Sequence, residues 1–204
     1  MDITGLILAG GRGTRMGTVD KGLVALAGKP MVAHVIERLR PQVATLMINA
    51  NQNFDTYAAF GHPVWPDALP DFAGPLAGLQ TGLMHCATPY LVTAPCDSPF
   101  LPLDLVARLF EGLQAQCADL AVAITHAPDG RRQPQPVFCL VPRTLQAHLN
   151  AYLHDGGRKV EHWYRNLRVA EVEFADAQAF RNINTPHDLQ AQAAPANATA
   201  HHEP

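Results

Sequence analysis

Near the amino terminus, Gly10, Gly11, Gly13 and Gly17 are interleaved with Arg12 and Arg15 in the segment Leu8-Ala9-Gly10-Gly11-Arg12-Gly13-Thr14-Arg15-Met16-Gly17, and Lys21 follows shortly after. Glycines let a backbone approach a ligand closely, and successive free N–H groups form a concavity that holds anions. With three full positive charges added, the segment suits a polyphosphate. The plainer alternative is a glycine turn whose arginines are solvated. A position directly after an apolar run favours phosphate binding. Two common phosphate loops do not fit. A dinucleotide fingerprint needs GxGxxG and an acidic residue about 20 positions on. Here Gly11-x-Gly13 is followed by Met16, with Gly17 one place late, and the next apolar run ends in Asn49. A Walker loop needs Gly-Lys-Ser/Thr, whereas Lys21 stands between Asp20 and Gly22.

Three later segments add oxygen and amide groups. Pro95-Cys96-Asp97-Ser98-Pro99 closes the apolar run Tyr90–Ala94. An aspartate so placed offers a hard oxygen to Mg²⁺, which binds through one or two carboxylates and the substrate's phosphates. The alternative role for Asp97, capping the next helix, competes with Asp104, which lies nearer that helix. Asn49 and Asp67 close two further apolar runs, either as ordinary turn residues or as ligand contacts. A carboxylate such as Asp67 can accept from two adjacent N–H donors, as on guanine's Watson–Crick edge, or from ribose hydroxyls, and the residues leave both open. Gly74-Pro75-Leu76-Ala77-Gly78 is a glycine-flanked helix start, suited to close approach of a sugar or base or to tight helix–sheet packing.

These groups meet only if the runs before them are neighbouring strands, because ligands of open α/β sheets sit beyond the carboxyl ends of the strands. The pattern supports that. Ile3–Leu8 reads as a strand buried on both faces, Pro30 opens a helix over Met31–Arg40, and Thr45–Asn49 is the next strand. Val64-Trp65, Tyr90–Ala94 and Leu120–Thr125 read as further strands, alternating with helices from Pro75 to about Cys86 and over Leu103–Gln116. The expected fold is α/β: a Rossmann-like, doubly wound, mostly parallel sheet flanked by helices. After Asp129, Gln133-Pro134-Gln135-Pro136 reads as irregular and Val137–Val141 as strand-like, marking a secondary lobe or small C-terminal sheet extension. Leu145–Leu153 reads as a helix, Val169–Phe174 as a strand and Pro186–Gln192 as a last helix, with 193–204 a disordered tail.

At 204 residues and 48% hydrophobic, the chain suits a single core, expected over 1–192. A formal charge of −3 argues against coating nucleic acid or a membrane surface, so anion binding must be local. Cys86, Cys96, Cys117 and Cys139 form no CxxC pair and read as reduced cytosolic thiols. The histidines show no HExxH spacing, which disfavours zinc. No apolar run approaches the roughly 20 residues of a membrane span. A soluble, cytoplasmic protein is expected.

Taken together, Leu8 to Gly17, Asp20-Lys21-Gly22-Leu23, Asn49-Ala50-Asn51, Pro66-Asp67, Gly74 to Gly78, Pro95 to Pro99 and Asn182-Ile183-Asn184-Thr185-Pro186 resemble the molybdenum cofactor guanylyltransferase family over about residues 3–190. Cytidylyltransferases of the same pathway more often carry LAAG where this chain has Leu8-Ala9-Gly10-Gly11. The resemblance implies GMP transfer from Mg-GTP to the terminal phosphate of molybdopterin. It implies GTP contacts from Leu8, Ala9, Gly10, Gly11, Lys21, Asn49, Asp67 and Asp97, and Mg²⁺ on Asp97. Residues 1–100 would then form the GTP half and 101–192 the acceptor half. Such transfer depends on positioning and charge neutralisation, so Arg15, Lys21 and Asp97 suffice without a covalent nucleophile, and Cys96 is read as a small buried neighbour. For the pterin, the candidates are Arg158, Lys159, Asn182 and Asn184, competing with a solvated basic turn. Proteins of cofactor synthesis and molybdoenzyme maturation would be its partners. The rival readings are a cytidylyl-, sugar-phosphate or cobinamide-phosphate nucleotidyltransferase, and a non-catalytic nucleotide or cofactor carrier.

Overall fold

Apolar runs that need cover on both faces and short turns between them dictate a layered α/β architecture. The computed structural model describes residues 2–10, 20–69 and 74–183. In chain order the elements are β1 (Ile3–Leu8), a tight hairpin of β2 (Ala25–Leu26) and β3 (Lys29–Pro30), α1 (Met31–Leu39), β4 (Thr45–Asn49), α2 (Phe54–Ala58), β5 (Val64–Trp65), α3 (Pro75–His85), β6 (Tyr90–Pro95), α4 (Leu105–Ala115), β7 (Leu120–His126), β8 (Arg132–Pro142), α5 (Gln146–His154), α6 (Val160–Trp163) and β9 (Val169–Glu173).

Seven strands form one sheet in the order β5-β4-β1-β6-β8-β7-β9. β1 pairs in parallel with β4 and β6, β4 with β5 and β7 with β9, while β8 runs antiparallel to both its neighbours. The sheet is doubly wound. Alternate side chains of β1 point to opposite faces: Ile3 and Ile7 pack with Val35 and Leu39 of α1 and Leu105 and Leu109 of α4. Leu6 packs on the other face with Leu76, Leu79 and Leu83 of α3, Leu149 and Leu153 of α5, and Trp163 of α6. Residues such as Ile3, Leu6 and Ile7 are fully buried, each contributing about 1.5–3 kcal/mol.

The structure corrects the region after Asp129. Gln133-Pro134-Gln135-Pro136 is not irregular: it is the first part of β8, and β8 lies between β6 and β7 in the main sheet, so the region is the expected sheet extension and not a lobe of its own. Proline is tolerated in strands at edges and bulges. β6 pairs only with Leu140–Pro142, so the early part of β8 has an open edge, and the β7–β8 register shifts between Val122 and Ala123, which lets Pro136 fall in the bulge. Pro30 is the N-cap of α1 rather than its first helical residue, and α2 and α6 are short helices that the apolar pattern does not signal. The expected helix over Pro186–Gln192 and the tail 193–204 lie outside the described residues.

Candidate active site

The parallel register aligns the strand ends. Leu8 of β1 lies opposite Asn49 of β4 on one side and Pro95 of β6 on the other, and Asn49 lies opposite Trp65 of β5. The next residues of each strand therefore emerge along one edge: Ala9-Gly10, Ala50-Asn51, Pro66-Asp67 and Cys96-Asp97. Backbone bonds carry the ladder to its end, with Ala9 N–H donating to Asn49 O (2.8 Å), Cys96 N–H to Leu8 O (3.0 Å) and Ala50 N–H to Trp65 O (3.1 Å). Segments far apart in sequence so become one row about 4.8 Å apart.

At one end of the row an amide–carboxylate cluster forms. Asn49 Nδ2 donates to Asp67 Oδ1 (2.9 Å) and Trp65 O (3.1 Å). Asn51 Nδ2 donates to Asp67 Oδ2 (2.8 Å) and Gly10 O (3.1 Å), and Asn51 Oδ1 accepts from the Asp67 N–H (2.8 Å). Each carboxylate oxygen of Asp67 thus accepts one amide. Asn49 is buried, and the absence of a side chain at Gly10 and Gly78 makes room for it: a Cβ at Gly10 would lie 3.0 Å from Asn49 Oδ1 and 2.9 Å from Asn51 Nδ2, and one at Gly78 would collide with Asn49 Oδ1. Close packing against Asn49 and Leu8, one of the two roles open to this segment from sequence, therefore requires glycine at position 78.

At the other end stand Asp97 and Lys21. Asp97 follows β6, and its carboxylate, 11% exposed, lies 3.4 Å from Lys21 Nζ. Burial raises the Asp97 pKa above the ordinary carboxylate range, opposed by the Lys21 charge and hydrogen bond and by Asp97's own backbone N–H. Asp97 does not cap α4: Asp104 holds the N-cap position there, without a side-chain cap bond. Asp20, next to Lys21, is not an open ligand. Its Oδ1 accepts from the Gly22 N–H (3.2 Å) and the Tyr57 hydroxyl (2.6 Å), and its Oδ2 from Asn53 Nδ2 (3.0 Å). Asp97, held by the Lys21 ammonium and its own backbone N–H, is the carboxylate here that could offer an oxygen to a cation, and one carboxylate supplemented by phosphate oxygens is a donor set that Mg²⁺ accepts. Among the described residues no three or more His, Cys, Asp or Glu side chains converge as a metal cage. The neighbouring Cys96 thiol is held far up by burial and by the Asp97 and Asp20 charges, hence neutral.

Asn182 reaches this end of the row. Ser98, fully buried, donates to Asn182 Oδ1 (2.6 Å), and the Ile183 N–H donates to Asp97 O (2.8 Å). Arg158 and Lys159 stand elsewhere, between α5 and α6. Arg158 Nη1 donates to Leu153 O (3.0 Å) and Gly157 O (2.7 Å), closing the end of α5. The chain around them packs with α3 on one face of the sheet, whereas Phe180 packs with the α1 and α4 face and Ile183 with Leu26 and Met31. A ligand touching Arg158 and Asn182 together would span the rim of the sheet. Gly11, Arg12, Arg15 and Asn184 lie outside the described residues. Sequence reasoning missed the supporting layer of Asn51, Asn53, Tyr57 and Ser98; the nearest signal was the polar Asn-Ala-Asn run after β4.

A mostly parallel, doubly wound sheet with its polar groups gathered at the carboxyl edge is a Rossmann-like architecture. Solved structures share it: molybdopterin-guanine dinucleotide biosynthesis protein A from Archaeoglobus fulgidus (TM-score 0.72, 21% identity, 93% of this chain and 96% of that one) and 2-C-methyl-D-erythritol 4-phosphate cytidylyltransferase from Thermus thermophilus (TM-score 0.73, 18% identity, 92% and 96%). The model of the MobA-like NTP transferase domain matches residues 5–171. Curated molybdenum cofactor guanylyltransferases from Cupriavidus taiwanensis (61% identity, 95% of this chain and 97% of the relative) and Bordetella pertussis (56%, 93% and 95%) are similar over nearly their whole length. The chain belongs to the MobA-like NTP transferase family, on the branch of the molybdenum cofactor guanylyltransferases. No helix of the described residues is long and apolar enough to cross a membrane.

Proposed function

We propose that the protein is a Mg²⁺-dependent guanylyltransferase that forms the guanine dinucleotide form of the molybdenum cofactor. An oxygen of the molybdopterin phosphate attacks the α-phosphorus of GTP, the bond from that phosphorus to the bridging oxygen breaks, and pyrophosphate leaves. The observation that carries this reading is the meeting of Lys21 and Asp97 at 3.4 Å on the edge that also bears the Asn49–Asp67 cluster. It is joined by about 60% identity to relatives named for this activity.

A bound Mg²⁺ would neutralise phosphate charge and orient the triphosphate, held on the protein side by Asp97. Lys21 and Asp97 compensate each other's charge at 3.4 Å, and a bound nucleotide would draw the Lys21 ammonium toward its phosphates. Arg15, from the glycine loop, adds a second cation for the charge that develops on the departing pyrophosphate. Leu8, Ala9, Gly10 and Gly11 supply backbone beside the nucleotide, and Asn49 and Asp67 hold its base or ribose end. Asn182, tied to Ser98 beside Asp97, serves the acceptor side, and Arg158, Lys159 and Asn184 are the further candidates for the pterin. Titration calorimetry with GTP and CTP tests the nucleotide half of this reading. GTP is expected to bind at least about tenfold tighter, a difference of about 1.4 kcal/mol; a preference for CTP would overturn the guanylyl assignment.

A further inference from the structure

The Lys21 ammonium is the group on which the charge argument turns, and a lysine holds a geometry only as well as the backbone that carries it, because its stem has four rotatable carbons. That backbone is unusually well anchored. Lys21 opens a single turn of 3-10 helix, Lys21–Leu23, closed by the Leu23 N–H to Asp20 O (3.0 Å) and the Val24 N–H to Lys21 O (3.1 Å). Asp20 caps this turn through Oδ1 and the Gly22 N–H (3.2 Å). The same carboxylate takes two more donors, Tyr57 Oη of α2 at 2.6 Å and Nδ2 of Asn53, the α2 N-cap residue, at 3.0 Å.

Asn53 and Tyr57 are four residues apart, one helical turn, and the Tyr57 N–H donates to Asn53 O (3.0 Å), so both side chains fall on one face and converge on Asp20. Asn53 holds a left-handed backbone, φ 54 and ψ 37, an uncommon state outside glycine that persists where surroundings fix it. Tyr57 is fully buried, and burial raises its pKa, so its hydroxyl stays a donor. Gly22 completes the seat: a Cβ there would lie 2.5 Å from Tyr57 Oη and 3.2 Å from Cys96 Cβ and Sγ, so the Lys21 turn is pressed between α2 and the residue before Asp97.

We propose that Asp20 is a positioning residue, clamped by Tyr57 of α2 and by Asn53 at its N-cap, that fixes the turn carrying Lys21 and so sets where the ammonium stands relative to Asp97. The inference rests on the nucleotidyl-transfer reading of Lys21. With three protein donors on its two oxygens, Asp20 is placed to act through Lys21 rather than as a ligand itself.

A double-mutant cycle tests this: wild type, Tyr57→Phe, Lys21→Ala and the double variant, with thermal melts to confirm that each is folded. If Asp20 acts through Lys21, Tyr57→Phe lowers kcat/KM for the nucleotide about tenfold, the size of a lost bond to a charged group. In the Lys21→Ala background the same change costs less than about twofold, because the group being positioned is gone. Equal losses in both backgrounds would overturn the clamp and leave Tyr57 a structural residue. Asp20→Asn, which keeps the shape and one acceptor oxygen, should show the same dependence on Lys21. Should wild type turn over no nucleotide, the functional reading fails on its own. The cycle is then read from GTP dissociation constants of the four proteins, where equal losses in both backgrounds again overturn the clamp and a loss confined to the Lys21 background supports it.

Discussion

Two glycines one turn apart on α3 separate a site residue from a packing residue. Replacing glycine by alanine inside a helix ordinarily gains about 1 kcal/mol. At Gly78 the new methyl would collide with Asn49 Oδ1 and stand 2.5 Å from Leu8 Cδ2, whereas at Gly82 it would stand 2.5 Å from Leu6 Cδ2 and 3.0 Å from Leu91 Cδ2. Overpacking of either kind costs about 1–3 kcal/mol, which exceeds the helix gain and leaves both variants less stable by up to about 2 kcal/mol. At about 2–4 °C per kcal/mol for a chain of this length, Tm falls by as much as about 8 °C in each. Stability therefore does not distinguish them; nucleotide affinity does. Gly78→Ala must displace Asn49, which gives up its bonds to Asp67 Oδ1 and Trp65 O. A bond to a charged group is worth about 1.5–3 kcal/mol, so GTP binding should weaken about tenfold to a hundredfold. Gly82→Ala touches only leucine methyls and should bind GTP as wild type does. Calorimetric titration with GTP, alongside thermal melts, reads both quantities. Wild-type affinity in Gly78→Ala, or an equal loss in Gly82→Ala, would refute the placement of the Asn49–Asp67 cluster in the nucleotide site.

Asp97→Asn should lower turnover about a hundredfold or more while raising Tm at neutral pH. The sign follows from burial: a carboxyl whose folded pKa is raised contributes stability below its unfolded pKa and loses it as pH rises through the folded value. At pH 7 the Asp97 charge is thus a cost that asparagine removes, and the two melting curves should converge as pH falls into the ordinary carboxylate range. A Tm lowered at neutral pH would contradict this. Cys96→Ala should keep wild-type kcat and lose only about 1 kcal/mol of stability, and the wild-type Cys96 thiol, held neutral by burial, should resist iodoacetamide in the folded protein; a kcat that collapses with the thiol would show that it takes part in the chemistry.

The strands and long helices were legible because their residues are buried on faces the sequence period already defines: Ile3 and Ile7 serve one core and Leu6 the other. Legibility failed where tertiary context outweighs local preference. Gln133-Pro134-Gln135-Pro136 reads as a breaker, yet an open edge and a bulge accommodate both prolines. α2 is five residues, Phe-Asp-Thr-Tyr-Ala, with no apolar stripe; Tyr57 holds it by burial and by Asp20. At the candidate site, that Asp67 and Asp97 stand just beyond strand ends was legible from position alone. The layer that orients them was not, because it depends on partners distant in sequence: Asn51 with Asp67 across 16 residues, Asp20 with Tyr57 across 37 and Ser98 with Asn182 across 84. No local rule pairs such residues before the sheet has aligned them.

Pyrophosphate release, followed with purified protein, Mg²⁺ and each of the four nucleoside triphosphates with and without molybdopterin, tests the central claim most directly. The account predicts release with GTP when molybdopterin is present, and none when either molybdopterin or Mg²⁺ is withheld. Release with CTP in place of GTP, or release from GTP that is indifferent to molybdopterin, would contradict it.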